Sequence, residues 1–276
     1  MPQGTGYGQH SYPSGFKHLG MMGPSKSNEA YFLYPMAWRD VIFIFEDFHG
    51  DGLLESGASD FNEGNWVSGQ NNASTAFVVP GTQLASGVAQ GATGAYTADA
   101  ISLYGDALFA GDNNAGCEFR YKIDDIDTQQ MEVGFFDPLS DENESAVDDI
   151  DTPTVTNGAA DIAVIARDTE QTFKSLAFIT DGSTSNMNST KTNLSTANHT
   201  NAIYAAARVQ LDGNTSFAFL CDADSAITQS ASHGEIIGSQ IEGGTLVRAR
   251  FLLETSANNA VTVDVDYVAV WQDRIA

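Results

Sequence analysis

Basic residues are scarce in this chain: twelve Lys and Arg stand against thirty-six Asp and Glu, a formal charge of -24 over 276 residues. A body so acidic is repelled by phosphate backbones, which argues against DNA or RNA as a direct partner. Cysteine is limited to Cys117 and Cys221. Two such distant residues could pair, but they read more simply as two buried free thiols. No apolar run approaches the ~20 residues that cross a bilayer, and no signal peptide is read at the start, so no membrane partner is expected. Helix start and stop signals are nearly missing. So are the compact catalytic motifs: there is no HExxH, no GxSxG elbow and no GxxxxGK loop. "GTGYG" at positions 4–8 follows no strand, which rules out a dinucleotide fingerprint. His10, His18, His49, His199 and His233 are scattered, and only His49 sits in a strand-end turn.

What is present divides in two. Residues 1–40 carry Lys17, Lys26 and Arg39 against Glu29 and Asp40, a net of +1; residues 41–276 carry nine bases against thirty-four acids, a net of -25. The first forty residues also hold four of the seven prolines and keep no periodicity before Tyr31. Such a segment builds no core of its own. Its Tyr12, Phe16, Tyr31, Phe32, Tyr34 and Trp38 are nevertheless many aromatic anchors for an inert tail. They mark an extended N-terminal arm that either orders against neighbouring subunits or folds back over its own domain.

From Val41 the chain reads as short strands with turn chemistry between them. "VIFIFEDF" (41–48), "AISLYG" (100–105), "CEFRYKID" (117–124), "MEVGFFD" (131–137), "DIAVIARD" (161–168) and "SLAFITDG" (175–182) are the first six. "IYAAARVQLD" (203–212), "TSFAFLCD" (215–222), "GTLVRARFLLETS" (244–256) and "VDVDYVAVWQDR" (263–274) follow. This pattern predicts one all-β domain over 41–276, an antiparallel sandwich or jelly roll. In the last strand, strict alternation puts Val261, Val263, Val265, Tyr267, Ala269 and Trp271 on one face. The other face starts with Asp264 and Asp266 and turns apolar at Val268 and Val270, which implies a cover there: a loop, the arm or a neighbour.

Two loops stand out. "DPLSDENESAVDDIDTP" (137–153) has seven carboxylates and no base, and reads as a solvated acidic loop or a calcium loop outside the EF-hand pattern. "STSNMNSTKTNLSTANHTN" (183–201) is fourteen Ser, Thr or Asn in nineteen residues, a long exposed loop or a ragged edge hairpin.

The two ends of the body resemble the concanavalin A-like lectin/glucanase superfamily. "FEDFHGDGLLE" (45–55), with Trp66 after it, looks like that family's opening strand, and "VDYVAVWQ" (265–272) like its closing one. The resemblance implies that the two strands lie side by side, and that calcium could tie them through Asp266, Glu46 and Asp47. The glucanases of the family carry two carboxylates on one strand face, about 5 Å apart as a retaining mechanism needs. Here Glu132 and Asp137 are an odd number of positions apart, and Asp125 and Asp127 fall at a turn, so no enzyme is expected.

The order of elements, with "EFRYKIDDIDTQQMEVGFFD" (118–137) and "AARVQLDGNTSFAFLCDAD" (206–224), is similar to jelly-roll proteins of tailed-phage structural clusters. That likeness implies a non-enzymatic decoration or cement protein on the outer capsid surface of a virion. Its partners would be the major capsid protein and neighbouring copies of itself, in a homo-oligomer. The alternative is a carbohydrate-binding module or adhesin that takes a glycan.

Overall fold

The computed structural model describes residues 41–46, 48, 54–56, 66–72, 74–78, 87–111, 113–151, 153–169, 175–182, 190–195, 199–212, 215–222, 232–237, 241–242 and 244–273. All regular elements among them are strands, and they form two sheets. The eight-stranded sheet runs β17 (Ser232–Ile237), β16 (Thr215–Asp222), β15 (Ala205–Asp212), β8 (Gly116–Ile123), β19 (Thr262–Asp273), β5 (Ala89–Ala92) and β4 (Thr75–Val78). Its eighth strand, β1 (Val41–Glu46), pairs with the second half of β19, from Val41 opposite Asp273 to Glu46 opposite Val268. The opening and closing strands therefore lie side by side, as the resemblance implied.

The nine-stranded sheet runs β14 (Thr190–Asn193), β13 (Ser175–Gly182), β12 (Asp161–Asp168), β9 (Gln129–Phe136), β18 (Leu246–Thr255), β6 (Ala100–Gly105), β3 (Trp66–Gln70) and β2 (Leu54–Ser56). The short β7 (Phe109–Ala110) joins the start of β18. β2 and β3 run parallel; the other pairings are antiparallel. β10 (Val147–Asp149) and β11 (Thr154–Val155) form a separate hairpin.

The inner faces of the two sheets make one core, in which Phe119, Tyr121, Phe135, Phe178 and Phe251 are fully buried. A second, smaller core lies on the outer side of the nine-stranded sheet. There Ala146, Val147 and Ile150, from the segment around β10, pack on Phe136, Ile162, Val164, Ala166, Ala177 and Ile179. This layer explains why β12 is buried at every position and why its sequence is a continuous apolar run. It also corrects the reading of 137–153 as a solvated loop: its apolar residues at 146, 147 and 150 hold it down.

The closing strand departs from strict alternation. Val265 pairs with Tyr121 and Tyr267 with Arg120, so Asp266 is an extra residue in a β-bulge. Before the bulge Val261, Val263 and Val265 enter the core; after it Val268 and Val270 do. One inserted residue exchanges the two faces. The apolar pair thus needs no outside cover, and Tyr267, Ala269 and Trp271 turn to the outer face instead. There the Trp271 ring lies on Gly116, where an added Cβ would come within 2.2 Å of it. Gly116→Ala is expected to lower stability by about 1–3 kcal/mol in urea unfolding, since neither ring nor strand can move aside freely.

Candidate functional site

The outer face of the eight-stranded sheet is built from alternate residues of β1, β19, β8, β15 and β16. On β8, Cys117, Phe119, Tyr121 and Ile123 enter the core. Glu118, Arg120 and Lys122 point the other way, and each finds a partner. The Glu118 carboxylate, fully buried, accepts from the Tyr267 hydroxyl at 2.6 Å and from Arg208 Nε at 3.1 Å. Arg208 in turn lies over the Phe219 ring, 4.9 Å from its centroid. Arg120 is ion-paired with Asp266 and stacks 4.1 Å from the Tyr204 ring centroid. Lys122 pairs with Asp264 at 2.7 Å, and Gln90 donates to the same carboxylate at 2.7 Å. Phe45 stands beside Tyr267 at 5.7 Å between ring centroids and is 40% exposed. Burial pushes the Tyr204 hydroxyl's pKa up, opposed by Lys122 and Arg120.

Chemically this face is a lattice of charges already matched to each other, with aromatic rings between them. The Arg120–Asp266 and Lys122–Asp264 pairs keep water contact, so each contributes little; Asp266→Asn is expected to shift stability by less than about 1 kcal/mol in thermal melts.

Asp266 thus lies in the face, with its carboxylate held by the Arg120 guanidinium. Glu46 pairs across from Val268 and turns its carboxylate to the Phe48 N–H at 2.7 Å. Asp47 lies outside the described residues, and so do His49 and the arm residues Tyr12, Phe16, Tyr31, Phe32, Tyr34 and Trp38. Among the described residues no three His, Cys, Asp or Glu side chains are grouped to hold a metal ion. A cation at Asp266 would have to replace Arg120. Any calcium-dependent shift in melting temperature is therefore expected to be the same, within about 1 °C, for the parent protein and for Asp266→Asn; loss of such a shift in the variant would make Asp266 a ligand after all.

The outer side of the nine-stranded sheet is closed by the chain itself. Glu132 on β9, fully buried, accepts from the backbone N–H of Ala146 at 2.9 Å and of Val147 at 2.8 Å, and from the Ser145 hydroxyl. Arg250 on β18, also fully buried, donates to the Glu132 carboxylate at 3.2 Å and to the Glu142 carbonyl at 2.9 Å. It donates as well to the Glu144 carbonyl. The Glu142 carboxyl pairs with Arg248 at 2.8 Å; burial raises its pKa, and Arg248 and Arg250 oppose the rise. Asp137, where β9 ends, accepts from the Ala160 N–H at 3.1 Å. Both oxygens of Glu132 are committed to structural bonds, and Asp137 serves the connection to β12, so the two do not form a pair across a substrate site.

Sequence reasoning missed a third polar cluster. His199, 3% exposed, bridges the sheets: its Nδ1 lies 3.1 Å from Arg167 Nη1 on β12 and its Nε2 lies 3.2 Å from the Tyr121 hydroxyl on β8. Nothing in the Ser/Thr/Asn-rich stretch around it signals burial. The burial of Arg208 and Arg250 has no signal in the sequence either, because a covered Arg reads there like a solvated one. Cys117 is a free thiol in the core, its pKa pushed up by burial. Cys221 lies on β16, with β15 between it and β8, so the two are ~10 Å apart and beyond disulfide reach.

No family model matches the chain, and no curated protein does. Solved structures do. A seed lectin of Lotus tetragonolobus aligns with a TM-score of 0.52 at 8% identity over 85% of this chain and 100% of the lectin. The fold is a concanavalin A-like jelly roll. A pseudo β-1,3-glucanase of Mycobacterium tuberculosis gives 0.52 at 9% identity, covering 84% and 98%. The CBM2 module of the evolved Dit protein of Lactobacillus casei phage J-1 gives 0.51 at 10% identity, covering 86% and 98%. At these identities the likeness is one of fold, and it fits the sandwich expected from the two end strands.

Proposed function

We propose that this chain is a non-enzymatic virion protein that decorates the outer surface of a phage capsid and attaches through its N-terminal arm. The observation that carries the non-enzymatic part is the Glu132–Arg250 bond beneath the 137–153 segment. The one strand that offered a carboxylate pair has its glutamate sealed under its own chain. The charge split supports the location. An acidic body would be repelled by packaged nucleic acid and so favours the outside, whereas the near-neutral aromatic arm suits protein contact. The capsid protein and further copies of this chain are its partners in this reading. Adding purified chain to capsids that lack it should give saturable attachment, and a chain without residues 1–40 should not attach. Equal attachment by the truncated chain would refute the arm's role.

Carbohydrate binding is the second reading, favoured by the likeness to the seed lectin and to the phage module. Reproducible binding of the purified protein on a glycan array, with no affinity for capsids, would put this reading first.

A further inference from the structure

Two stretches of chain, 140–146 and 153–159, hold each other over the outer side of the nine-stranded sheet. The Ser140 N–H donates to the Asn157 carbonyl and the Thr156 N–H to the Ala146 carbonyl, both at 2.9 Å. Asn157 adds both ends of its side-chain amide. Its Oδ1 accepts from the Asp141 N–H at 2.8 Å, and its Nδ2 donates to the Asp141 carbonyl and, at 3.3 Å, to the Glu144 carbonyl. These partners fix which way the amide points, since an N–H needs an oxygen opposite it and a carbonyl needs a donor. The residue after Asn157 is Gly158, and this is the one Asn-Gly pair in the sequence. Both have positive φ, 56° and 73°, as the centre of a type I′ turn requires. Gly158 is exposed, and a Cβ on it would come within 2.5 Å of the Ser140 hydroxyl oxygen.

We propose that Asn157 is a site of spontaneous deamidation, gated by opening of the 137–153 segment, and that the product keeps the segment from closing again. A glycine after asparagine has no Cβ to hinder its nitrogen from reaching the side chain before it. The Gly158 nitrogen gives its proton to solvent and bonds to Asn157 Cγ, while the Cγ–Nδ2 bond breaks and Nδ2 leaves as ammonia with that proton. Solvent water then adds to one of the two carbonyls of the cyclic imide and reopens the ring. One water is consumed and one ammonia released, with no change of oxidation state. The ring cannot close while Asn157 stays in the left-handed turn with its amide held by Asp141 and Glu144, so the segment must open first. The product has a carboxylate where the amide was. It cannot donate, and it sets a negative charge against the Asp141 and Glu144 carbonyls. Water addition at the main-chain carbonyl does more, because it routes the backbone through the former side chain and destroys the turn. The proposal is independent of whether the chain binds a capsid or a glycan.

The test incubates the full chain in mildly alkaline buffer and follows the peptide that contains residue 157 by mass spectrometry. Conversion in the folded protein is expected to be at least about tenfold slower than in urea, because only the opened fraction reacts. It should be several-fold faster in Arg250→Met than in the parent, since that variant loses the other donor to the Glu142 and Glu144 carbonyls. Equal rates in the fold and in urea, equal rates in parent and variant, or no conversion in the folded parent would overturn the proposal. Amide exchange tests the product. Over residues 138–146 it should be several-fold faster in Asn157→Asp, and in the converted fraction of the parent, than in the unconverted protein. Equal exchange would show that the segment closes over the carboxylate, and would overturn the latch.

Discussion

Arg250→Met is expected to cost about 3–5 kcal/mol in urea unfolding, the range for removing one partner of a buried ion pair. Methionine fills much the same volume, so the loss is electrostatic rather than a cavity. It leaves the Glu132 carboxylate buried without its cation, and the carbonyls of Glu142 and Glu144 without their donor. The effect should start locally. Amide exchange over residues 141–151 should accelerate before global unfolding, because the segment loses its main polar tie while keeping Ala146, Val147 and Ile150 on the sheet. Arg250→Lys should recover little, since one ammonium cannot reach the carboxylate and both carbonyls from a planar fork. Adding Glu132→Gln to Arg250→Met should restore part of the loss by removing the stranded charge. If Arg250→Met costs less than about 1 kcal/mol, the 137–153 segment is held without Arg250, by its apolar contacts and its bonds to Glu132.

This segment shows where sequence reasoning stops. The ten strands read from alternation and apolar runs all form, and β6, β12, β13 and β16 keep the boundaries expected for them. Those residues carry their own signal, because each must bury one face or both. Weak strands such as β5 (AQGA), β10 and β14 were not legible. They are only three or four residues long; β10 and β14 mix Val or Thr with residues that strands disfavour and β5 has neither, so neighbouring strands impose the conformation. The bulge at Asp266 was equally hidden: one extra residue leaves the composition of the strand unchanged while reversing every side chain after it. The same holds for the polar sites. Seven carboxylates in seventeen residues announce charge, but not that three apolar residues among them would pin the loop over Glu132. Asp266 was found from the end-strand resemblance, while the cation beside it came from β8, a strand distant in sequence and visible only through pairing.

Acid should destabilise the fold through His199. Arg167 can only donate, so His199 Nδ1 accepts from it, and Nε2 carries the proton toward the Tyr121 oxygen. A second proton would have to enter at Nδ1, facing a guanidinium whose only carboxylate partner among the described residues, Asp127, is 3.8 Å away. Burial first, and Arg167 second, lower the His199 pKa from 6.5 to about 3. The unfolded chain therefore binds a proton that the fold refuses. The stability due to neutral His199 is fully present above pH 6.5 and is lost as pH falls toward 3, by up to about 1.4 kcal/mol per pH unit and roughly 4 kcal/mol in all. Asp137 and Glu142, with pKa values raised by burial, act with the opposite sign: the fold takes up their protons more readily than the unfolded chain does, which favours it as pH drops. Their effect is separated by comparison with His199→Gln. That variant should be about 1–3 kcal/mol less stable at pH 7, having lost a buried acceptor for Arg167, yet its stability should fall less steeply between pH 6.5 and 3. Parallel pH profiles for the two proteins would mean that His199 is protonated in the folded state without penalty, and that the Tyr121–His199–Arg167 bridge does not hold the two sheets together.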